Sequence, residues 1–331
     1  MSARLRRLWQ RRSLAAALLL PLALLNGGLV RLRRRLYAAR LLRSERLPVP
    51  VIVVGNVVAG GGGKTPVTRA LVAHLQARGW RPGVISRGYG RADAQLRAVR
   101  PDSDARAVGD EPLLLARATG APVFVARRRA EAGRALLAAH PEVDVLVCDD
   151  GLQHLALARD LEICVFNDQG VGNGWLLPAG PLREPWPRAV DWVLHAGAPP
   201  PGALSARFAL QRRLADHAVD GQGRRVPLAH LAGRRLHALA GTARPEEFFA
   251  LLRARGLAPA HCQAFPDHHG FADWQPPGDA AAVVLCTEKD AVKLWPRHPE
   301  VLAVPLEVRL DPRFFQALDA RLASLRSPHA P

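Results

Sequence analysis

Apolar positions along this chain switch between two periods. Val49-Pro50-Val51-Ile52-Val53-Val54 is a continuous apolar run of strand length, and Val67 to Gln76 repeats its apolar residues at helical spacing. Pro82 to Ser86 predicts a second strand running into a glycine turn. Asp110-Glu111-Pro112 opens a helix over Leu113 to Ala118, with acids at its positive end. Pro122 to Ala126 reads as a strand, Arg127 to Ala139 as a helix, and Val143 to Cys148 and Leu161 to Phe166 as further strands. Strands and helices of this length in alternation predict an α/β fold: a parallel sheet with helices on both faces.

Gly197 to Gly202 is rich in proline and glycine and reads as a linker or surface loop. Beyond it the style repeats. Strands are expected at Leu236–Ala240, Ala281–Cys286 and Val301–Val308, and helices at Pro245–Arg255, Asp290–Trp295 and Pro312–Leu325. This is a second, smaller α/β lobe. The organisation expected is therefore an N-terminal segment at 1–46, a first lobe at 47–196 and a second lobe at 197–331 that closes over the site.

The N-terminal segment has its own pattern. Ser13 to Val30 contains no charged residue, and arginines flank it on both sides. A membrane-crossing helix needs about 20 apolar residues, so this one is short, and Pro21 and Asn26-Gly27-Gly28 interrupt it. Arginines at both ends also fit a simple span poorly. The favoured expectation is an N-terminal membrane helix embedded in one leaflet with its arginines on anionic head groups; a true span and a cleaved signal are the alternatives. Charge supports this. The net charge of +17 is concentrated here, where twelve arginines face one glutamate, so no nucleic-acid-binding domain is indicated. Four cysteines without a C-x-x-C pair give no zinc or redox motif, and read as small hydrophobes in a reducing compartment.

The chemistry concentrates after the first strand. Gly55-Asn56-Val57-Val58-Ala59-Gly60-Gly61-Gly62-Gly63-Lys64-Thr65-Pro66 joins strand to helix as a phosphate-binding loop. Its glycines let backbone N–H groups approach phosphate oxygens, and the helix N-terminus adds positive partial charge. Lys64 would reach the β- and γ-phosphates and the Thr65 hydroxyl would hold Mg²⁺. Val58 stands where the usual pattern has its first glycine. Asp149-Asp150 ends a later apolar strand, the place where a carboxylate holds Mg²⁺. Asp110-Glu111 can cap a helix or supply a general base for a substrate hydroxyl. Asp267-His268-His269 can offer metal ligands or a histidine that orients a base carboxylate. In Thr287-Glu288-Lys289-Asp290 the lysine is one place late for guanine recognition.

These residues, taken in order over nearly the whole chain, resemble the tetraacyldisaccharide 4′-kinases of lipid A biosynthesis. The resemblance rests on the phosphate loop with Arg33-Arg34-Arg35-Leu36-Tyr37, Ser86-Arg87-Gly88-Tyr89-Gly90, Gly109-Asp110-Glu111-Pro112 and Asp149-Asp150-Gly151-Leu152-Gln153-His154. Leu177-Pro178-Ala179-Gly180-Pro181-Leu182-Arg183-Glu184, Phe265-Pro266-Asp267-His268-His269 and Thr287 to Lys293 complete it. Leu152, where phenylalanine is common, and a fourth glycine at 62 are minor departures. The resemblance implies ATP- and Mg²⁺-dependent phosphorylation of the 4′-hydroxyl of a tetraacylated glucosamine disaccharide 1-phosphate, giving lipid IVA, on the cytoplasmic face of a bacterial inner membrane. It implies Asp110 as the base and His268 as its partner from the second lobe, with Thr65, Asp149 and Asp150 as the Mg²⁺ set. It implies Glu111, Arg129, Gln153 and His154 as further polar groups of the site, Arg129 being adjoined by Arg127 and Arg128, and Arg183 as a contact to substrate phosphate. Membrane lipids and the lipid substrate are the partners implied, with no nucleic acid and no obligate protein partner. The alternative from another class is a membrane-recruited nucleotide switch or ATPase, which would need a guanine-reading motif or an arginine finger.

Overall fold

A computed structural model describes residues 8–60, 63–279 and 281–326. Two sheets organise it. The first has nine strands in the order β15-β8-β7-β6-β1-β5-β2-β4-β3. Its members are β1 (Val51–Gly55), β2 (Pro82–Ser86), β3 (Arg97–Val99), β4 (Val123–Val125), β5 (Val145–Asp149), β6 (Leu161–Phe166), β7 (Trp192–His195), β8 (Ala206–Leu214) and β15 (Leu306–Leu310). It is parallel except at its two edges, where β3 pairs antiparallel with β4 and β15 with β8. The second sheet has six strands. They are β9 (His217–Val219), β10 (Arg225–Pro227), β11 (Leu236–Ala240), β12 (His261–Ala264), β13 (Val283–Thr287) and β14 (Leu302–Val304).

The continuous apolar run of β1 follows from burial on both faces. Ile52 and Val54, with Val145 and Val147 of β5, point into one core. Val51 and Val53, with Leu146 and Cys148, point into the other. Helix α3 (Lys64–Ala77) covers the first face through Val67, Leu71 and Leu75, and α6 (Arg129–Ala139) covers the second through Leu136. These follow α1 (Leu14–Ala17), α2 (Leu20–Ala38), α4 (Ala105–Val108) and α5 (Asp110–Thr119) in chain order only in part, α3 standing between α2 and α4. The second lobe carries α7 (Pro245–Ala254) and α8 (Glu288–Leu294), and the chain's last described helix is α9 (Pro312–Arg326).

Three expectations change. The sheet of the first lobe runs past residue 196: β8 and β15 complete its edge, and Phe314, Leu318 and Leu322 of α9 sit in the same core as Val54 and Leu71. A boundary drawn at the proline-glycine stretch misses this, because chain order does not reveal that the C-terminus returns. The single strand expected over Val301–Val308 is two strands in different sheets, split at Pro305. Pro305 O accepts from the Ala215 N–H at 2.9 Å, so the two chain crossings between the lobes lie side by side.

The third change concerns the N-terminus. No helix among the described residues is long and apolar enough to cross a membrane. The apolar stretch is split into α1 and α2, with Pro21 in the first turn of α2, where proline is tolerated. Arg31, Arg33, Arg34 and Arg35 occupy the later turns of the same helix. The Asn26-Gly27-Gly28 break does not interrupt it. Asn26 Nδ2 donates to Leu177 O at 3.0 Å, and a Cβ at Gly27 would run into the Leu176 side chain. Glycine is thus required by close approach to the body of the protein. The opposite face leaves Leu22 57%, Leu25 63% and Leu29 58% exposed.

Candidate active site

The parallel register of β1 with β5 sets Val54 opposite Asp149. The phosphate loop that leaves β1 and the carboxylate that ends β5 therefore meet at the carboxyl edge of the sheet, where ligands of such sheets bind. Gly60 and Gly63 have φ of +102° and +72°, the region glycine enters without strain, and Gly63 caps α3. Gly61 and Gly62, also expected to cradle phosphate, lie outside the described residues. Helix α3 begins at Lys64, earlier than the apolar period indicated, because its first turn is polar and faces the loop.

Lys64 is buried, with Nζ 3.5 Å from Asp150 Oδ1 and 3.5 Å from Asn56 Oδ1. Thr65 is half-buried in the first turn. One turn later the Thr68 hydroxyl donates to Asp149 Oδ1 at 2.7 Å. The other carboxylate oxygen, Asp149 Oδ2, is buried without a hydrogen-bond partner among the described residues. Burial first, and then the Glu111 charge, push the Asp149 carboxyl up to about 7 against the pull of Thr68 and Lys64.

That orphaned oxygen tests whether Mg²⁺ fits. A hard cation would satisfy it, and Asp149 and Thr65 supply the oxygen donors such a cation takes. No cluster of three or more His, Cys, Asp or Glu side chains able to hold a metal occurs among the described residues. A site with few protein ligands is what Mg²⁺ uses when substrate phosphates and water complete its shell.

Asp150 is differently placed. Its backbone is left-handed, with φ of +50°, and its carboxylate accepts from Arg183 Nη1 at 3.2 and 3.3 Å besides facing Lys64. Burial pushes its carboxyl up, but Lys64 and then Arg183 hold it below the ordinary aspartate value. Arg183 is thus paired to Asp150 and lies beside Gln153 Oε1 at 3.5 Å. Gln153 Nε2 donates to Asn56 O at 2.9 Å and to Glu184 Oε1 at 2.6 Å, bracing the loop. Of the three adjoining arginines, Arg127 and Arg128 are exposed and Arg129 is buried. Arg129 Nη2 donates to Asp150 O at 3.3 Å, and its backbone N–H donates to His154 Nε2 at 3.3 Å. Burial, followed by the charges of Arg129 and Arg159, pushes His154 down to about 4, so it is a neutral acceptor.

The second lobe completes the site. Asp110, the buried first residue of α5, accepts from His268 Nδ1 at Oδ2, 3.1 Å away. His268 comes from the loop after β12 and holds a left-handed backbone, φ +62°, rarely adopted by a non-glycine residue. Burial pushes the Asp110 carboxyl up, but the His268 hydrogen bond and the Lys289 and Lys293 charges bring it below the ordinary aspartate value. Lys293 Nζ is 3.7 Å from Asp110 Oδ2, and Lys289 Nζ is 3.5 Å from Glu111 Oε1. A cavity of about 490 Å³ gives access to this pair, lined by Tyr89, Asp110, His268, Phe271 and Lys293 among others.

Asn56, Thr68, Lys289 and Lys293 were not identified from sequence as site residues. A compositional signal was available for the lysines. The chain has 46 lysines and arginines, of which only Lys64, Lys289 and Lys293 are lysine, and all three converge on these carboxylates. In a chain that otherwise uses arginine, lysine marks positions that need a compact cation.

Comparison with known proteins agrees with this geometry. The family model for tetraacyldisaccharide-1-P 4′-kinase, LpxK, matches residues 15–323. A protein named tetraacyldisaccharide 4′-kinase from Acidovorax sp. (strain JS42) is 69% identical over 324 residues, 98% of this chain and 96% of that protein. One of the same name from Delftia acidovorans is 56% identical over 327 residues, 98% of this chain and 96% of that protein. The crystal structure of an "apo" form LpxK from Aquifex aeolicus in complex with ATP superposes with a TM-score of 0.82 at 28% identity, covering 93% of this chain and 99% of that one. With its fold, its phosphate loop and nearly its full length shared, this chain belongs to the tetraacyldisaccharide 4′-kinase family.

Proposed function

We propose that this protein transfers the γ-phosphoryl group of ATP to the 4′-hydroxyl of a tetraacyldisaccharide 1-phosphate, working at a membrane surface. The observation that carries the reading is the Asp110–His268 pair, formed between the two lobes next to Glu111, whose charge acts on Asp149. A nucleotide switch has no use for a base aimed at an acceptor hydroxyl, whereas a sugar hydroxyl is a poor nucleophile and needs one. Incubating membranes that contain the protein with ATP and the disaccharide 1-phosphate should add one phosphate to the lipid by mass. Hydrolysis of ATP with no phosphorylated lipid would overturn the assignment.

The chain's own groups divide the work. Backbone N–H groups of the loop and Lys64 hold the phosphates and neutralise the charge that develops on them. Asp149 and Thr65 would hold Mg²⁺, which when bound supplies further neutralisation at the phosphate oxygens. Asp110 is ionised and takes the hydroxyl proton. Among the described residues its Oδ1 accepts from the adjacent Glu111 N–H at 3.1 Å and keeps a lone pair for it. The acceptor oxygen bonds to the γ-phosphorus as the bond to the β-phosphate oxygen breaks, and ADP leaves. Arg183 and Arg129 keep Asp150 and its backbone in place behind Lys64. Asp149→Asn is expected to raise the Mg²⁺ concentration for half-maximal rate by about 10-fold or more, as loss of a metal carboxylate does. A Mg²⁺ titration unchanged by this variant would make Asp149 structural.

Attachment to the cytoplasmic face of the membrane is part of the same reading. Helix α2 is fixed to the protein by Asn26, Gly27 and Arg33, the last donating to Gln153 O at 2.9 Å, while its leucines face outward. An apolar face beside an arginine-rich one suits a helix lying in the interface of an anionic bilayer. Replacing Leu18, Leu22, Leu25 and Leu29 by serine should release the protein from anionic vesicles by at least about 100-fold in partitioning, since each buried leucine contributes about 1.5–3 kcal/mol. Its melting temperature should stay unchanged, because these side chains touch little of the fold. Unaltered cosedimentation would remove α2 as the anchor.

A further inference from the structure

The segment Thr287 to Lys293 is a motif of the family resemblance to which the reaction above gives no part. Thr287 caps α8, accepting from the Asp290 N–H at 3.2 Å, and this sets Lys289 in the first turn facing the other lobe. Lys289 Nζ lies 3.2 Å from Asp267 Oδ1, 3.3 Å from His268 Nε2, 3.5 Å from Glu111 Oε1 and 3.9 Å from Asp110 Oδ2. An ammonium group can only donate. His268 Nε2 must therefore accept and carry no proton, and the single proton of the neutral ring is on Nδ1, where it is given to Asp110 Oδ2 at 3.1 Å.

We propose that Lys289 is a positioning residue that fixes His268 in the Nδ1–H tautomer and so aims its N–H at the base carboxylate. The inference rests on the reading of Asp110 as the base. The groups that face His268 make the lysine necessary. Asp110 is on one side and the Tyr89 ring 5.1 Å away on another, while Asp267 Oδ1 stands 3.8 Å from Nε2. Glu111 and Lys293 lie behind, bound to Lys289 and Asp110. Without Lys289, Nε2 faces Asp267 Oδ1 at 3.8 Å, and the ring takes a proton there from water as Nδ1 releases its own to water. The neutral ring then turns an Nδ1 lone pair toward the Asp110 carboxylate, and the hydrogen bond that orients the base is lost. Arginine, broad and planar, would not fit among four groups at these distances, which accounts for lysine in an arginine-biased chain.

The test is nitrogen-15 NMR of the full-length protein with labelled histidine at neutral pH, with His268 assigned from a His268→Gln sample. The wild type should show a protonated Nδ1 and an acceptor Nε2. Lys289→Met should move protonation to Nε2 and lower kcat by ~10-fold or more, on the scale of a weakened acid–base pair, with KM for ATP within about 2-fold. Lys289→Gln, whose amide can still donate to Nε2, should keep the wild-type tautomer and more of kcat. A wild-type spectrum with Nε2 protonated, or an unchanged tautomer in Lys289→Met, would overturn the proposal. Should Lys289→Met fail to fold, the wild type and Lys289→Gln still decide. A wild-type protein with the stated tautomer but no lipid phosphorylation would instead overturn the kinase reading, so the two failures are distinct.

Discussion

Lys64→Ala is expected to lower phosphoryl transfer by about 10³-fold, with the protein still folded. Removing one preorganised charge or donor from a developing oxyanion costs about 10²–10³-fold in other enzymes, and Lys64 carries a full positive charge in a buried position. Its loss has a second effect. Asp150 faces both Lys64 and Arg183, so the variant leaves that carboxylate with one cation partner fewer beside the phosphates. Both effects oppose phosphate binding and transfer, so kcat should fall and KM for ATP should rise together. Initial rates at saturating lipid with varied ATP would measure this, with melting temperature as the control. Near-native turnover would place nucleotide chemistry away from this loop.

Asp110→Ala and His268→Ala should each lower kcat by about 10²–10⁴-fold, the range of general-base catalysis, with little change in KM for ATP. The double variant should be scarcely worse than the poorer single one, because groups that act as a unit are not additive. The two side chains share one hydrogen bond across the lobes, so removing either disables the other. The pH dependence follows from the same contacts. Asp110 is held below its ordinary value, so the base is ionised at neutral pH. Its contribution to kcat/KM is lost only as pH falls through that lowered value, placing the acid limb below the ordinary aspartate range. In a Lys293→Met variant one of the cations near Asp110 is gone, and the limb should move to higher pH. Fully additive losses in the double variant would mean that Asp110 and His268 act separately.

The rival nucleotide switch loses ground on the same geometry. A switch conveys its state through segments that respond to the γ-phosphate and is completed by a partner. Here the second lobe of the same chain instead supplies His268, Lys289 and Lys293 around the Asp110 carboxylate, with a cavity beside it.

Local chemistry made part of this protein legible from its residues alone. The apolar run at 51–54 reads as a buried strand, since a short unbroken apolar stretch is hidden most economically inside a parallel sheet. The Gly-Lys-Thr turn between strand and helix reads as a phosphate cradle, because glycine conformations and a helix N-terminus suffice to make one. Asp149 stands out because it ends an apolar strand, whereas Asp110 alone reads equally as a helix cap and takes its role as base from the family resemblance. Tertiary structure decided the rest. That β8, β15 and α9 return to the first sheet depends on edge pairing and a shared core across about a hundred residues, which periodicity does not encode. That Asp150 is committed to Lys64 and Arg183 while Asp149 keeps a free buried oxygen depends on which cations reach each carboxylate. In the sequence Lys289 and Lys293 stand in a motif of the family resemblance without a role of their own. They belong to the site only because folding brings α8 against α5, and a charge acts through space on whatever the fold sets beside it.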